Sequence, residues 1–339
     1  MSRFISNNHQ KMPRNFNYGS SLRFAGSNAL KTNMPGQHHS IAAHSARWKL
    51  FCEWAQSQGI KEAHQIKTQT LKQYADYLRA RLEGQGKPLA VATAQNRLST
   101  CNVVLRHLRN DQQVSIKPAE ALNAQRHHIR TEPPQLSRDK LSAVQALLCK
   151  QGHCRISAML GLCRELGLRT REAALLDCKT ALVQANKQGE IDIVRGTKGG
   201  RGKSTSTSPS RAERWVPVST FALHALQTAA LLQADSDNLV PKTKSLPAFL
   251  SLIRYYSTPI LKEQGLTNRH DLRAAYACER YQIITGYKSP VLNKSHHCPK
   301  DQDQTARAVI AEELGHHRIS VVASYIGALD RKMVHSVYS

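Results

Sequence analysis

Three short segments concentrate side chains that can handle a phosphate group. They are Gly167-Leu168-Arg169-Thr170-Arg171-Glu172, His270-Asp271-Leu272-Arg273 and Leu314-Gly315-His316, the last followed nine residues later by Tyr325. Between the first two lies Lys198, in Thr197-Lys198-Gly199-Gly200-Arg201. An arginine suits phosphate because its planar fork binds two oxygens at once and stays protonated. A phenol attacks and leaves more readily than an aliphatic alcohol, so an ester formed on tyrosine is reversible. Each residue also has a plain explanation. Arg169 can be a helix-end arginine paired with Glu172, and His270 and Arg273 an exposed i,i+3 pair. Tyr325 is one of ten tyrosines, and Lys198 can be a simple turn lysine. Taken singly, the plain explanations are the stronger ones. The order and spacing of the whole set single it out.

The composition says which partner such a set would meet. The chain has 339 residues, a length that suits two domains. Lys and Arg number 48 against 24 Asp and Glu, a formal charge of +24. An enzyme of small neutral metabolites does not need that excess. A protein lying along a nucleic-acid backbone does, because each neutralised phosphate releases condensed counterions. A basic soluble or membrane-surface protein is the alternative. With 40% apolar and 21% charged residues the composition is globular. No apolar run approaches the roughly 18 residues of a membrane span. The first twenty residues lack the apolar core of a secretory signal, so a cytoplasmic location is expected. The eight cysteines are irregularly spaced without a C-x-x-C pair and read as reduced thiols. His296-His297-Cys298 lacks a second half with zinc-ligand spacing, so no metal is expected there.

Hydrophobic periodicity supplies the elements that must position the set. Residues 1–39 carry no acidic residue and scattered apolar ones, the pattern of a flexible basic arm. From Ser40 apolar offsets of three and four mark helices: Ile41 to Ala55 with a stop at Gly59, Thr68 to Leu82, and Val91 to Leu108. Short polar turns make these a helical bundle over 40–112. Lys49, Arg79, Arg81, Arg97, Arg106 and Arg109 are candidates there for phosphate contacts. Residues 113–136, polar and holding Pro118, Pro133 and Pro134, read as a linker. From Ser137 helices alternate with a strand at Glu190–Thr197 and a returning edge strand at Arg214–Val218. Helices then run from Leu246 to the end.

In order, spacing and intervening strand, the segments resemble the tyrosine recombinases, the phage-integrase-like site-specific recombinases. That signature is an Arg in a GLR-x-x-E turn, a hairpin Lys, H-x-L-R, L-G-H, and a Tyr at this offset. The resemblance covers residues 145–330 or so. It implies a mainly α fold with a small β-sheet or hairpin: a core-binding (SAM-like) helical bundle over 40–112 and an α+β catalytic domain over 137–339. It implies DNA cutting and rejoining through a 3′-phosphotyrosine, with integration or excision of a mobile element. Tyr325 would be the nucleophile and Arg169 and Arg273 the clamp. His316 would bond a nonbridging oxygen, and His270 would accept or relay the tyrosine proton. Lys198 would be the general acid, with Lys203 competing. Glu172 would orient its neighbours. Such cations stabilise the charge that builds during attack on a phosphodiester, so neither metal nor ATP, and no other cofactor, is called for. The implied partners are double-stranded DNA bearing two recombination sites, three further copies in a synaptic homotetramer, and DNA-bending accessory proteins.

Two departures stand out. Arg273 and His316 are 43 positions apart, longer than the family's usual gap, which reads as a surface insertion over 286–303. The hairpin tip at Ser204–Ser210 is also extended. Fourteen residues follow Tyr325, and Val334, Val337 and Tyr338 could anchor them on a neighbouring copy. A type IB topoisomerase-like nicking and resealing enzyme, and a DNA-binding protein without activity, are the competing functions. Supercoil relaxation by a monomer separates the first, and binding without cleavage the second.

Overall fold

A computed structural model describes residues 13–134, 137–197, 213–266, 269–293, 298–316 and 318–329. The chain divides into two compact units, Met1–His127 and His128–Ser339. The expected mainly helical fold with one small hairpin is what is found.

The first unit packs α1 (Leu22–Asn33), α2 (His38–Ser57), α3 (Thr68–Leu82), α4 (Val91–Arg109) and α5 (Pro118–Leu122) around one core. Trp48 and Phe51 stack at 4.9 Å, and Tyr74 meets Phe51 edge-on at 5.0 Å, geometries that aromatic quadrupoles favour. Of the expected flexible arm over 1–39, residues 1–12 lie outside the described residues, and helix α1 corrects the expectation for the rest. Leu22, Ala25, Ala29 and Leu30 form a buried face on it. That stripe is narrow and set among Asn, Ser and Gly, so its apolar content alone does not announce a helix. Gly26 lets α2 approach: a Cβ there would lie 2.1 Å from Trp48 Nε1, which donates to the Leu22 carbonyl at 3.1 Å. The expected linker over 113–136 differs too. Its Leu122 is buried in the first core, and Asn102 pairs with both backbone groups of Ile116. Several candidate phosphate-binding arginines are already engaged: Arg79 with Asp76, Arg81 with the Lys87 carbonyl, Arg109 with Asp111.

The second unit contains α6 (Arg138–Lys150), α7 (Cys154–Glu165), α8 (Thr170–Leu175), α9 (Cys178–Gln188), β1 (Glu190–Asp192), β2 (Trp215–Pro217), α10 (Thr220–Gln233), α11 (Leu246–Glu263), α12 (His270–Thr285), α13 (Lys300–Glu313) and α14 (Ala323–Ile326). Strands β1 and β2 pair antiparallel, with Ile191 opposite Val216. They are shorter than the expected strands, but Ile193 N–H to Arg214 O and Val218 N–H to Gly189 O extend the pairing beyond both ends. Helix α7 is buried from Ile156 to Glu165 and is the axis on which α6, α10 and α12 pack. The 286–303 stretch is not wholly a surface insertion. Ser289, Pro290 and Val291 are buried, Cys298 is buried, and residues 300–303 begin α13. None of the described helices is long and apolar enough to cross a membrane.

Candidate active site

Each recognition segment ends or begins a helix, so its side chains are aimed by backbone geometry. Gly167 follows α7 with φ +59°; a Cβ there would meet the Tyr276 ring at 2.5 Å, so glycine is required twice over. Arg169 then N-caps α8. Glu172, three residues on, accepts the Arg169 backbone N–H at 2.7 Å and its Nη1 at 2.6 Å, so one carboxylate answers both the capping backbone and its side chain. His270 and Arg273 share the first turn of α12. At the end of α13, Gly315 takes φ +61° and turns the chain so that His316 leaves the helix, its N–H on Ala311 O at 2.7 Å. Tyr325 rides on the short α14.

Arg273 joins these pieces. It is 1% exposed. Its Nη1 donates to the Gly167 carbonyl and its Nη2 to the Leu314 carbonyl, so one guanidinium ties the turn before Arg169 to the turn before His316. Its Nε donates to the Tyr325 hydroxyl at 3.3 Å, and its Nη2 lies 3.3 Å from His316 Nε2. Arginine can only donate, so His316 Nε2 presents its lone pair and the ring proton sits on Nδ1. The Tyr325 hydroxyl, 3.1 Å from the same Nε2, is then placed to donate to it.

Glu172 is fully buried beneath the set. Its carboxylate faces Arg169 at 2.6 Å, Arg214 at 2.9 Å and Arg273 at 3.8 Å. Burial alone would raise its pKa, but Arg214, Arg169 and Arg273 together hold it below the usual carboxylate range. Burial pushes Arg273 down to about 10, with Arg169 and Arg214 adding repulsion; it remains protonated at neutral pH. Burial also drives His316 down to about 3, helped by Arg273, Arg169 and Arg214, so its imidazole is neutral at pH 7. His270 is lowered by burial and then by Arg273.

Arg169, Arg273, His316 and Tyr325 therefore come together, and His270 opens the helix that bears Arg273. Lys198 and its competitor Lys203 lie outside the described residues. So do His296, His297, the Ser204–Ser210 tip, Val334, Val337 and Tyr338. Arg214 was not expected. It is 6% exposed and donates from Nε to the Glu313 carbonyl at 2.8 Å. The strand alternation carried the signal: Arg214 is two residues before the buried Val216, which puts it on the inward face of the hairpin. Glu313, also unremarked in the sequence, binds Tyr276 at 2.8 Å and Arg280 at 2.6 Å. His316, Arg214, Trp215 and Ile319 border a cleft of about 590 Å³.

These side chains gather on a fold similar to that of solved tyrosine recombinases. Residues 137–279 match the family model described as Integrase, in line with the resemblance to the tyrosine recombinases. The chain is similar in fold to the Tn1549 transposon integrase in complex with transposon right end DNA, at 12% identity and TM-score 0.58, covering 92% of this chain and 96% of that one. It is similar to a lambda integrase dimer bound to a COC′ core site, at 14% identity, TM-score 0.54, and 89% and 93% coverage. It is also similar to the XerH site-specific recombinase bound to palindromic difH substrate, at 17% identity, TM-score 0.53, and 92% and 82% coverage. No curated protein matches the chain in sequence.

Proposed function

We propose that this chain is a site-specific DNA recombinase that cuts and rejoins strands through a 3′-phosphotyrosine at Tyr325. The observation that carries this is the position of the Tyr325 phenol, hydrogen-bonded to Arg273 and His316 beside Arg169. The integrase-family match and the fold shared with DNA-bound integrases support it.

The steps follow from charge and proton balance. The phenolic oxygen attacks phosphorus while its proton passes to an imidazole: His316 is hydrogen-bonded to it in the free protein, and His270 accepts or relays it once DNA is bound. A P–O bond to tyrosine forms as the bond to the 5′ oxygen breaks. Lys198 gives that oxygen a proton, so it departs as a hydroxyl. Arg169 and Arg273 hold the nonbridging oxygens as charge builds on them, and His316, once its Nε2 carries a proton, adds a hydrogen bond there. The energy of the broken bond stays in the ester. A 5′ hydroxyl of another strand reverses the steps and completes exchange. Two DNA sites, four copies of the chain, DNA-bending partners and a mobile element at the bacterial nucleoid complete the proposed setting.

The test is a nicked suicide substrate from which the 5′ fragment diffuses away. Wild type should accumulate a covalent protein–DNA complex. An equal yield of adduct from Tyr325→Phe would show that the nucleophile lies elsewhere.

A further inference from the structure

Helix α14 is four residues long, too short to hold itself by its own hydrogen bonds. Three of its four carbonyl groups, and that of Gly327 behind it, are bound from outside. Arg130 N–H reaches Ala323 O at 3.0 Å, Cys278 Sγ lies 3.8 Å from Tyr325 O, and Val291 N–H reaches Ile326 O at 2.9 Å. Arg307 Nη1 donates to Gly327 O at 3.0 Å. Two of these donors flank or belong to the stretch that lengthens the gap between Arg273 and His316. Val291 sits in its buried part, and Arg307 follows it on α13, aimed by Asp303 at 2.7 Å, which in turn accepts Tyr281 OH at 2.7 Å. Gly327 turns at φ +81°, where a Cβ would lie 3.0 Å from Val291 N and 3.2 Å from Arg130 O. The chain leaving Tyr325 is thereby clamped on two sides.

We propose that Val291 and Arg307 form a brace that fixes Tyr325 against Arg273 and His316 of its own chain, with Arg307 as the positioning residue. Val291 supplies a backbone donor and Arg307 a guanidinium donor to carbonyls at and just beyond the end of α14, and together they set where the phenol points. The catalytic part of this proposal rests on the recombinase function given above. The mechanical part does not.

Hydrogen exchange on the intact protein tests the mechanical part. Arg307→Met should raise exchange in residues 319–329 while α7 and α12 stay protected. With saturating suicide DNA the same variant should form adduct about tenfold or more slowly, with DNA affinity unchanged, because a small misplacement of a reacting group is costly in rate alone. Arg307→Lys, which can still donate to the Gly327 carbonyl, should recover most of both. Wild-type protection at 319–329 in Arg307→Met would overturn the proposal. So would a rise spread evenly through the unit, or a Lys variant no better than Met. If wild type forms no adduct, the recombinase function fails and exchange alone decides the brace.

Discussion

Arg273 donates from Nε to the Tyr325 hydroxyl while its two Nη atoms hold the Gly167 and Leu314 carbonyls. The same guanidinium is thus a structural knot and the neighbour of the proposed nucleophile. A lysine at this position keeps the charge but cannot serve three directions. Arg273→Lys should therefore lose stability as well as activity. Removing one partner from a buried charge network costs about 3–5 kcal/mol, so the denaturant midpoint should fall together with adduct yield. An unchanged midpoint would contradict the structural part.

His316 makes the free protein sensitive to acid. Burial, then Arg273, Arg169 and Arg214, lower its pKa from 6.5 to about 3. The unfolded chain gains a proton near pH 6.5 that the native chain refuses until about pH 3. This contribution to stability is complete above pH 6.5 and declines as pH falls through that window. His270, lowered in the same direction, adds to it. Chemical denaturation at pH 7.5 and pH 5 should show the decline, and His316→Asn should reduce the difference without abolishing it.

Arg214 balances Glu172, which would otherwise draw harder on Arg169 and Arg273. Arg214→Met should slow adduct formation at saturating DNA by at least about tenfold. Glu172→Gln in that background should recover part of the rate, because it removes the charge left unbalanced. A double variant no faster than Arg214→Met would mean that Arg214 acts only through the Glu313 carbonyl.

Gly167→Ala puts a Cβ at φ +59° and 2.5 Å from the Tyr276 ring. A strained backbone position of this kind costs about 1–3 kcal/mol before the clash is counted. Thermal unfolding should shift down, and because Arg273 holds the Gly167 carbonyl, adduct yield should fall with it.

Chelation should leave the chemistry untouched. The carboxylates nearest the site are already committed, Glu172 to three arginines and Glu313 to Tyr276 and Arg280. Adduct formed in excess EDTA should equal that formed in magnesium. A loss restored by added divalent ion would call for a different account of charge neutralisation.

The sequence discloses the parts of this site that depend on local spacing. A capping turn, an i,i+3 pair and a glycine after a helix are short-range patterns, and Arg169, His270, Arg273 and His316 stand in them. What it hides is long-range. Arg214 acts on Glu172 across 42 positions, and nothing in RWVPV says which carboxylate it will meet. Helix α1 escapes notice because its stability comes from Trp48 packing over Gly26, a tertiary contact rather than an apolar-rich stripe. The 286–303 stretch reads as polar surface because its described inward-facing residues, Ser289, Pro290, Val291, Cys298 and Asp303, make no apolar run.

The arrangement around Glu172 has a consequence for handling the protein in solution. Among the described residues three guanidinium groups share the Glu172 carboxylate, a local excess of positive charge. Sulfate or inorganic phosphate in a buffer will be drawn to relieve that imbalance and will compete with the scissile group of DNA. Melting temperatures taken in phosphate should exceed those in chloride of equal ionic strength, and rates measured in the two buffers will not be interchangeable.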